Sequence, residues 1–246
     1  MHKKQNTISI IIPVYNEEKY IIKTLDKVIA SNTLHFEKEI IVVDDGSTDH
    51  TPSLVNTFIK KNNKKIRLIT KKNEGKGSAL KLGFLQSHGD IVIVQDADLE
   101  YNPDEYPTLI TPFISHDADV VYGSRFISDK THRILYFWHS VGNKMLTTFS
   151  NMLTNLNLTD METGYKVFKG EIIRSIAPHL ESKRFGFEPE ITACIAKIKN
   201  IAIYEVGISY QGRTYDEGKK ISWRDGVRAI GEIVKYNLFS SAYYFL

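Results

Sequence analysis

The chain has 246 residues, enough to bury one sizeable α/β core, and its 32 Lys and Arg against 29 Asp and Glu leave a net charge of +3. So small an excess does not describe a protein that coats nucleic acid, and no nucleic-acid partner is expected. The basic start MHKKQNT runs into the strand-like SIIIPVY rather than the apolar centre of a secretory signal, and every apolar run stops short of the roughly 20 residues that span a bilayer.

Short runs rich in Ile and Val predict buried strands at Ile8 to Val14, Glu39 to Val43, Ile66 to Ile69, Ile91 to Val94 and Val120 to Tyr122. Between them Ile, Leu and Phe return every three or four residues. That spacing predicts helices over Glu17 to Ala30, Thr51 to Lys61, Gly77 to Ser87 and Asp104 to Ile114. Alternating strands and helices imply βαβ units and a mostly parallel sheet flanked by helices. After about Arg125 the alternation weakens, a helix over Leu135 to Leu153 follows, and the chain closes on an amphipathic stretch. The single cysteine, Cys194, lies in the helix-like run ITACIAKIK and reads as a small buried hydrophobe, which suits a reducing cytoplasm.

In a sheet of this kind ligands bind beyond the carboxyl ends of the strands, and those ends are acidic here. The first strand leads into Pro13-Val14-Tyr15-Asn16-Glu17-Glu18, the second into Asp44-Asp45-Gly46-Ser47, the fourth into Gln95-Asp96-Ala97-Asp98-Leu99-Glu100. Asp96 and Asp98 stand two apart, so on an extended backbone both carboxylates face one side, the outline of an Mg²⁺ or Mn²⁺ site completed by diphosphate oxygens. Taken alone the same three residues also describe an ordinary turn. Gly46 and the Ser-Thr-Asp that follows it form a turn and a helix cap, but capping does not account for Asp45 at the end of an apolar strand, and a donor hydroxyl or base would. Asn73-Glu74-Gly75-Lys76-Gly77-Ser78 opens a helix with two glycines and a cation, a fit for an anion. Arg213 and Lys219 stand in a loop without apolar periodicity, readable either as a solvated loop or as a mobile cationic segment that meets a leaving diphosphate.

The ordered set SIIIPVYNEE, IIVVDDGSTD, NEGKGSAL and QDADLEYNPDE, continued by VVYGSRF, TDMETGYKVFKGEII, FGFEPEITACIAK and YEVGISYQGRTYDEGKKISWRDG, resembles glycosyltransferase family 2 over nearly all of the chain. Within it the chain is similar to the dolichyl-phosphate mannose and glucose synthases and their bacterial polyprenyl-phosphate relatives. The resemblance implies a GT-A fold, Rossmann-like, with a catalytic domain over residues 1–220 and an amphipathic helical segment over 221–246. It implies a nucleotide held by Pro13, Tyr15, Glu17, Val43 and Asp45, with Lys76 and Ala97 beside the donor and a metal on Asp96 and Asp98. Glu100 stands where a further ligand, often Gln, joins the metal. Arg125 would face an acceptor phosphate, and Arg213 with Lys219 would fold over the donor diphosphate. A second acceptor-side Arg has no counterpart in YFWHSVGNK, where His139 and Lys144 stand instead.

The activity implied is inverting, metal-dependent transfer of a hexose (mannose, glucose or an N-acetylhexosamine) from a UDP- or GDP-sugar to a polyprenyl phosphate. A phosphate acceptor is already ionised near neutral pH and needs no strong base, whereas a hydroxyl acceptor on a glycan, protein or small molecule needs a carboxylate, for which Asp160 and Glu162 are the candidates. A third reading is a nucleotide-sugar-binding protein without catalysis. In the run Ile221 to Leu246, Trp223, Val227, Ile230, Ile233 and Val234 can share one helical side. That run fits equally a helix packed on the domain and one lying on the cytoplasmic face of a membrane as a peripheral contact.

Overall fold

The computed structural model describes residues 6–62, 65–127, 133–134, 136–184, 186–212 and 223–240. Seven strands form one sheet: β1 Thr7–Val14, β2 Glu37–Asp44, β3 Ile66–Thr70, β4 Ile91–Val94, β5 Val120–Ser124, β6 Lys166–Lys169 and β7 Ile203–Gly207. Their order is β3-β2-β1-β4-β6-β5-β7. β1 lies parallel to both β2 and β4, with Ile10 opposite Ile40 on one side and Ile93 on the other. β6 alone runs against its neighbours, opposing Val92 with Phe168 and Val121 with Val167, while β5 and β7 pair in parallel.

The alternation along β1 splits the core in two. Ile8, Ile10 and Ile12 are sealed against α1 (Ile21–Ala30), α2 (Thr51–Asn62) and α4 (Tyr106–Ser115), with Leu25, Val55 and Leu109 among their neighbours. Ile11 faces the opposite layer, where α3 (Lys76–Leu85), α6 (Gly170–Ile176) and α7 (Phe187–Ala196) contribute Leu80, Phe84, Ile173 and Ile191. Strands buried on both faces read as continuous apolar runs, which is why all five expected strands are present.

Four expectations need correction. α1 begins at Ile21 rather than Glu17. The backbone N–H groups of Glu17 and Glu18 instead donate to Thr51 Oγ1 and Asp49 Oδ2 at 3.0 and 3.2 Å, which ties this turn to the loop after β2. The helix expected over Asp104 to Ile114 is a 3₁₀ turn, Pro103–Glu105, followed by α4. The helix expected from Leu135 is α5, Phe137–Thr154, closed by Asn155 in the left-handed region at φ 57°. No strand was expected after Tyr122, yet β6 and β7 are there: β6 has four residues, too few for a period, and it buries a lysine, Lys166.

In the carboxyl-terminal part, α8 (Trp223–Val234) runs into a π-helical turn, Lys235–Phe239. Ile233 and Tyr236 are sealed within the protein, Ala229 is buried and Ile230 half-buried. The side chains of Trp223 and Val227 lie outside the described residues, as do residues 213–222 and 241–246.

Candidate active site

The carboxyl ends of β1, β2 and β4 converge on a cavity of about 470 Å³. Each end is held by a local device. Asn16, at φ 54°, receives a bond from the Thr48 backbone N–H at 2.8 Å and donates its own N–H to Ser47 Oγ at 3.0 Å, so the loops after β1 and β2 are stitched together. After β4, Gln95 is fully buried; its Oε1 accepts from the hydroxyls of Tyr106 and Tyr165 at 2.8 Å, and its Nε2 donates to the Asp96 carbonyl at 3.0 Å. Leu99 then adopts φ 64°, and the Glu100 N–H donates to Asp98 Oδ1 at 3.2 Å. The Asp96-Ala97-Asp98 turn is thus fixed from below by a buried amide and two tyrosines.

Of the expected donor contacts, Pro13, Tyr15, Glu17, Asp45, Lys76, Asp96, Ala97, Asp98 and Glu100 all line the cavity. Val43 does not: its side chain is buried in the core beneath, in the layer that holds Leu80 and Phe84. Asp45 lines the wall with both oxygens engaged. It accepts from Lys71 Nζ at 2.9 Å and from the N–H groups of Glu74 and Gly75 at 3.1 and 2.6 Å. Its observed work is to hold the Asn73–Ser78 loop against β2. Glu74 is bound in turn by Lys183 and Lys71, which pull its carboxyl down to about 2.

Lys76 Nζ bridges Asp96, 3.0 Å away, and the buried Glu188, 3.3 Å away. Burial works against the ammonium, but these two carboxylates outweigh it and raise its pKa above the ordinary range. Glu188, from the FGFEPE motif, had no assigned role, because nothing local connects it to Lys76 far back along the chain. Gly164 also closes on Asp96: a Cβ there would stand 2.5 Å from Asp96 Oδ2 and 2.7 Å from the Tyr101 ring.

Across the cavity, Arg125 is clasped by Asp160. Nε donates to Oδ2 and Nη2 to Oδ1, both at 2.7 Å, and the Arg125 backbone N–H adds a third bond at 3.1 Å. The guanidinium also lies 5.0 Å from the centre of the Tyr210 ring. Asp160 is wholly buried behind Arg125 and does not line the cavity, whereas Arg125 and Glu162 do. Burial and the nearby Glu188 push the Glu162 carboxyl from its ordinary 4.5 up to about 7, and its Oε1 has no hydrogen-bond partner. Behind this loop Lys166 Nζ donates to the carbonyls of Met161, at 2.9 Å, and Thr163. Its desolvation lowers its pKa to about 8. His139 and Lys144 do not line the cavity; Lys144 lies over the Phe126 ring at 6.0 Å.

Arg213 and Lys219 lie outside the described residues. The described chain leaves the site at Gly212, just after the Tyr210 hydroxyl donates to Glu100 Oε2 at 2.8 Å and the Gln211 N–H donates to the Glu100 carbonyl at 3.0 Å. Glu100 thereby holds the chain at Tyr210 and Gln211.

Oxygen donors on Asp96, Asp98 and Glu100 at one cavity wall suit a hard divalent cation. Among the described residues no group of three or more His, Cys, Asp or Glu is arranged to hold a metal unaided. That fits a site whose remaining ligands would be water and phosphate oxygens. Lys76 sits on Asp96 meanwhile, so an arriving cation would have to share that carboxylate.

The fold is the GT-A fold, a mostly parallel sheet between helices. Glucosyl-3-phosphoglycerate synthase from Mycobacterium tuberculosis, solved with Mn²⁺, uridine diphosphate and phosphoglyceric acid, superposes on it with a TM-score of 0.69 at 19% identity, covering 96% of this chain and 80% of that one. The sequence matches the glycosyl transferase family 2 pattern over residues 9–176, more than half of its length, and the chain belongs to that family. Dolichyl-phosphate β-glucosyltransferase of Dictyostelium discoideum is 32% identical over 87% of this chain and 68% of its own length. UDP-N-acetylglucosamine–dolichyl-phosphate N-acetylglucosaminyltransferase of Methanococcus voltae is 31% identical over 82% of this chain and 84% of its own. Undecaprenyl-phosphate 4-deoxy-4-formamido-L-arabinose transferase of Proteus mirabilis is 29% identical over 88% of this chain. The chain spans about two thirds of the length of the Dictyostelium and Proteus relatives, 68% and 64%.

Proposed function

We propose that this chain transfers a hexosyl group from a UDP- or GDP-sugar to a polyprenyl phosphate, with inversion at the anomeric carbon. The observation that carries the reading is that one cavity joins Asp96 and Asp98, after β4, to Arg125, after β5, with its guanidinium fixed by Asp160. Donor-side carboxylates and an acceptor-side cation thus face the same space. Relatives named for dolichyl and undecaprenyl phosphate support that acceptor class.

In the reaction an oxygen of the lipid phosphate attacks the anomeric carbon from the side opposite the diphosphate. The carbon–oxygen bond to the diphosphate breaks, and its electron pair leaves with the nucleoside diphosphate. Arg125 orients the acceptor, and no base is required because a phosphate monoester, with its second pKa near 6, is already ionised. Asp96 and Asp98, with Glu100 beside them, would hold Mg²⁺ or Mn²⁺, which when bound neutralises charge on the diphosphate. Arg213 and Lys219 would add positive charge over the same leaving group.

The test is incubation of the protein with a panel of UDP- and GDP-sugars, a short polyprenyl phosphate and Mg²⁺ or Mn²⁺. Labelled sugar should pass into butanol-extractable lipid. No such product across the panel overturns the reading. One observation favours a hydroxyl acceptor as the second reading: Glu162 lines the cavity, its buried Oε1 has no hydrogen-bond partner among the described residues, and its carboxyl is raised to about 7, the character of a general base. Label appearing on water-soluble hydroxyl acceptors, and lost in Glu162→Gln with donor binding retained, would select it.

A lipid acceptor also requires contact with the membrane, and α5 is the better surface for it. No helix among the described residues is long and apolar enough to cross a membrane. On α8, Ala229 and Ile233 are turned inward, whereas Phe137 and Trp138 at the start of α5 are 70% and 77% exposed and continue through Val141 and Met145 along one side. α5 passes Phe126, the neighbour of Arg125, at Lys144, whose ammonium lies 6.0 Å from the centre of that ring, so a lipid lying along the helix would bring its phosphate toward that guanidinium.

A further inference from the structure

Among the described residues three cations line the cavity, and two are committed to carboxylates. Lys76 is held between Asp96 and Glu188, and Arg125 is clasped by Asp160. The third is Arg184, which had no part in the sequence reading. It lines the same cavity and has neither an ion pair nor a hydrogen bond among the described residues. Its neighbour Lys183 is spent on Glu74, at 2.7 Å.

The backbone is arranged to bring Arg184 to this wall. Glu190, wholly buried in α7, accepts from the N–H groups of Glu181 and Ser182 at 2.7 and 2.9 Å, which fixes the segment before it. The Ser78 N–H donates to the Lys183 carbonyl at 3.2 Å. Gly75 lets the two loops touch: it adopts φ 107°, and a Cβ there would stand 2.4 Å from the Lys183 carbonyl oxygen and 2.7 Å from Arg184 Cγ. Gly77 makes the same allowance for the Ser182 carbonyl, at 2.4 Å. The glycines of the NEGKG loop therefore serve the approach of a second loop, one that carries a guanidinium without a partner among the described residues. Through the bonds from Gly75 and Glu74 to Asp45, that approach is tied to the end of β2, on the donor side of the proposed site.

We propose that Arg184 binds the diphosphate of the donor, a use for which a planar guanidinium with free N–H groups is suited. The inference rests on the nucleotide-sugar reading above and names a residue of that site on a segment no expectation had placed there.

The experiment is calorimetric titration of the full chain with UDP and GDP in Mg²⁺, for wild type, Arg184→Gln, Arg184→Lys and Lys183→Gln. Loss of a charge-assisted contact in Arg184→Gln should weaken nucleoside diphosphate binding about tenfold to a hundredfold, with Arg184→Lys intermediate. Lys183→Gln, of the same charge change but with its side chain turned to Glu74, should remain within about twofold of wild type. The corresponding nucleosides, lacking phosphate, should bind wild type and Arg184→Gln alike. Unchanged diphosphate affinity in Arg184→Gln overturns the proposal. So does an equal loss in Lys183→Gln, which would mark a general effect of surface charge. Failure of wild type to bind either nucleoside diphosphate overturns the nucleotide-sugar reading itself.

Discussion

Replacing Asp160 by Asn separates orientation from proton transfer. The carboxylate receives three bonds from Arg125 and a fourth from Asn143 Nδ2 at 3.2 Å, and it is wholly buried, while the Arg125 side chain is 16% exposed. An amide of the same shape keeps one acceptor but leaves the guanidinium without its counter-charge. Breaking a buried pair from one side costs about 3 to 5 kcal/mol, and the retained acceptor argues for the lower end. With a urea slope of roughly 2 to 3 kcal/mol per molar, the unfolding midpoint should fall by about 1 M or more. In steady-state assays the variant should raise the KM for polyprenyl phosphate about tenfold or more, since the group meant to hold the phosphate is no longer held itself. The pH dependence of kcat should keep its shape. A midpoint shift below about 0.3 M would show that the pair is worth no more than a surface ion pair. An unchanged KM, with the acidic limb of the kcat profile abolished, would make Asp160 the base and refute the orienting role.

Glu162 gives a pH prediction of definite sign. Its carboxyl is raised from 4.5 to about 7, so the folded state holds a proton that the unfolded chain releases, and its stabilising share is present below pH 4.5 and lost as pH rises through 7. Wild type should therefore lose stability relative to Glu162→Gln between about pH 4.5 and 7 in urea melts, and a flat difference would contradict this. Gly75→Ala should destabilise the fold and weaken nucleoside diphosphate binding together, because the added Cβ collides with the Lys183 carbonyl at a left-handed φ; wild-type stability would refute the close approach. Phe137→Ser with Trp138→Ser should reduce sedimentation with anionic liposomes while leaving nucleotide binding intact, since each buried aromatic contributes roughly 1.5 to 3 kcal/mol to partition. Unaltered sedimentation would move the lipid contact off α5.

The sequence exposes those parts of the site that lie where periodicity ends. Asp45, Asp96 and Asp98 are visible because each closes an apolar strand whose burial leaves no reason for a carboxylate. Their partners are hidden because pairing is set by the sheet and not by spacing. Asp160 reaches Arg125 only because β6 inserts antiparallel between β4 and β5, bringing the loop before it to the end of β5. Glu188 meets Lys76 because α7 packs in the same layer as α3. β6 itself escapes notice because four residues with a lysine at one end carry no alternation, and that lysine is tolerated inside by the carbonyls of Met161 and Thr163 and by the Tyr122 ring 5.1 Å away. The amphipathic pattern of the final helix describes packing onto α5 and α7 and contact with a membrane equally well. Exposure, which separates the two cases, is not a local property.

The charge lining the cavity carries the argument for a divalent cation beyond the Asp96–Asp98 pair. Seven carboxylates line it, those of Glu17, Asp45, Asp96, Asp98, Glu100, Glu162 and Glu188, against the cations Lys76, Arg125 and Arg184. Protonation of Glu162 and the Lys71 ammonium on Asp45 offset part of the excess, yet the wall that would receive a diphosphate remains acidic. On the proposed reading two negatively charged substrates would meet Arg125 and Arg184 there, but each would also repel Asp98, Glu100 and the other substrate at short range. On the proposed reading positive charge would arrive with the donor, as Mg²⁺ or Mn²⁺ at Asp96 and Asp98, and Arg213 and Lys219 would add to it. Removing the metal with EDTA should therefore weaken nucleoside diphosphate binding by about two orders of magnitude or more, the range of a 2 to 3 kcal/mol electrostatic loss. Asp98→Asn should weaken binding in Mg²⁺ and lessen the further loss on chelation, since it removes a metal ligand and an anion together. Equal affinity with and without metal in the wild type would mean that the chain's own cations suffice, and would remove the metal from the site.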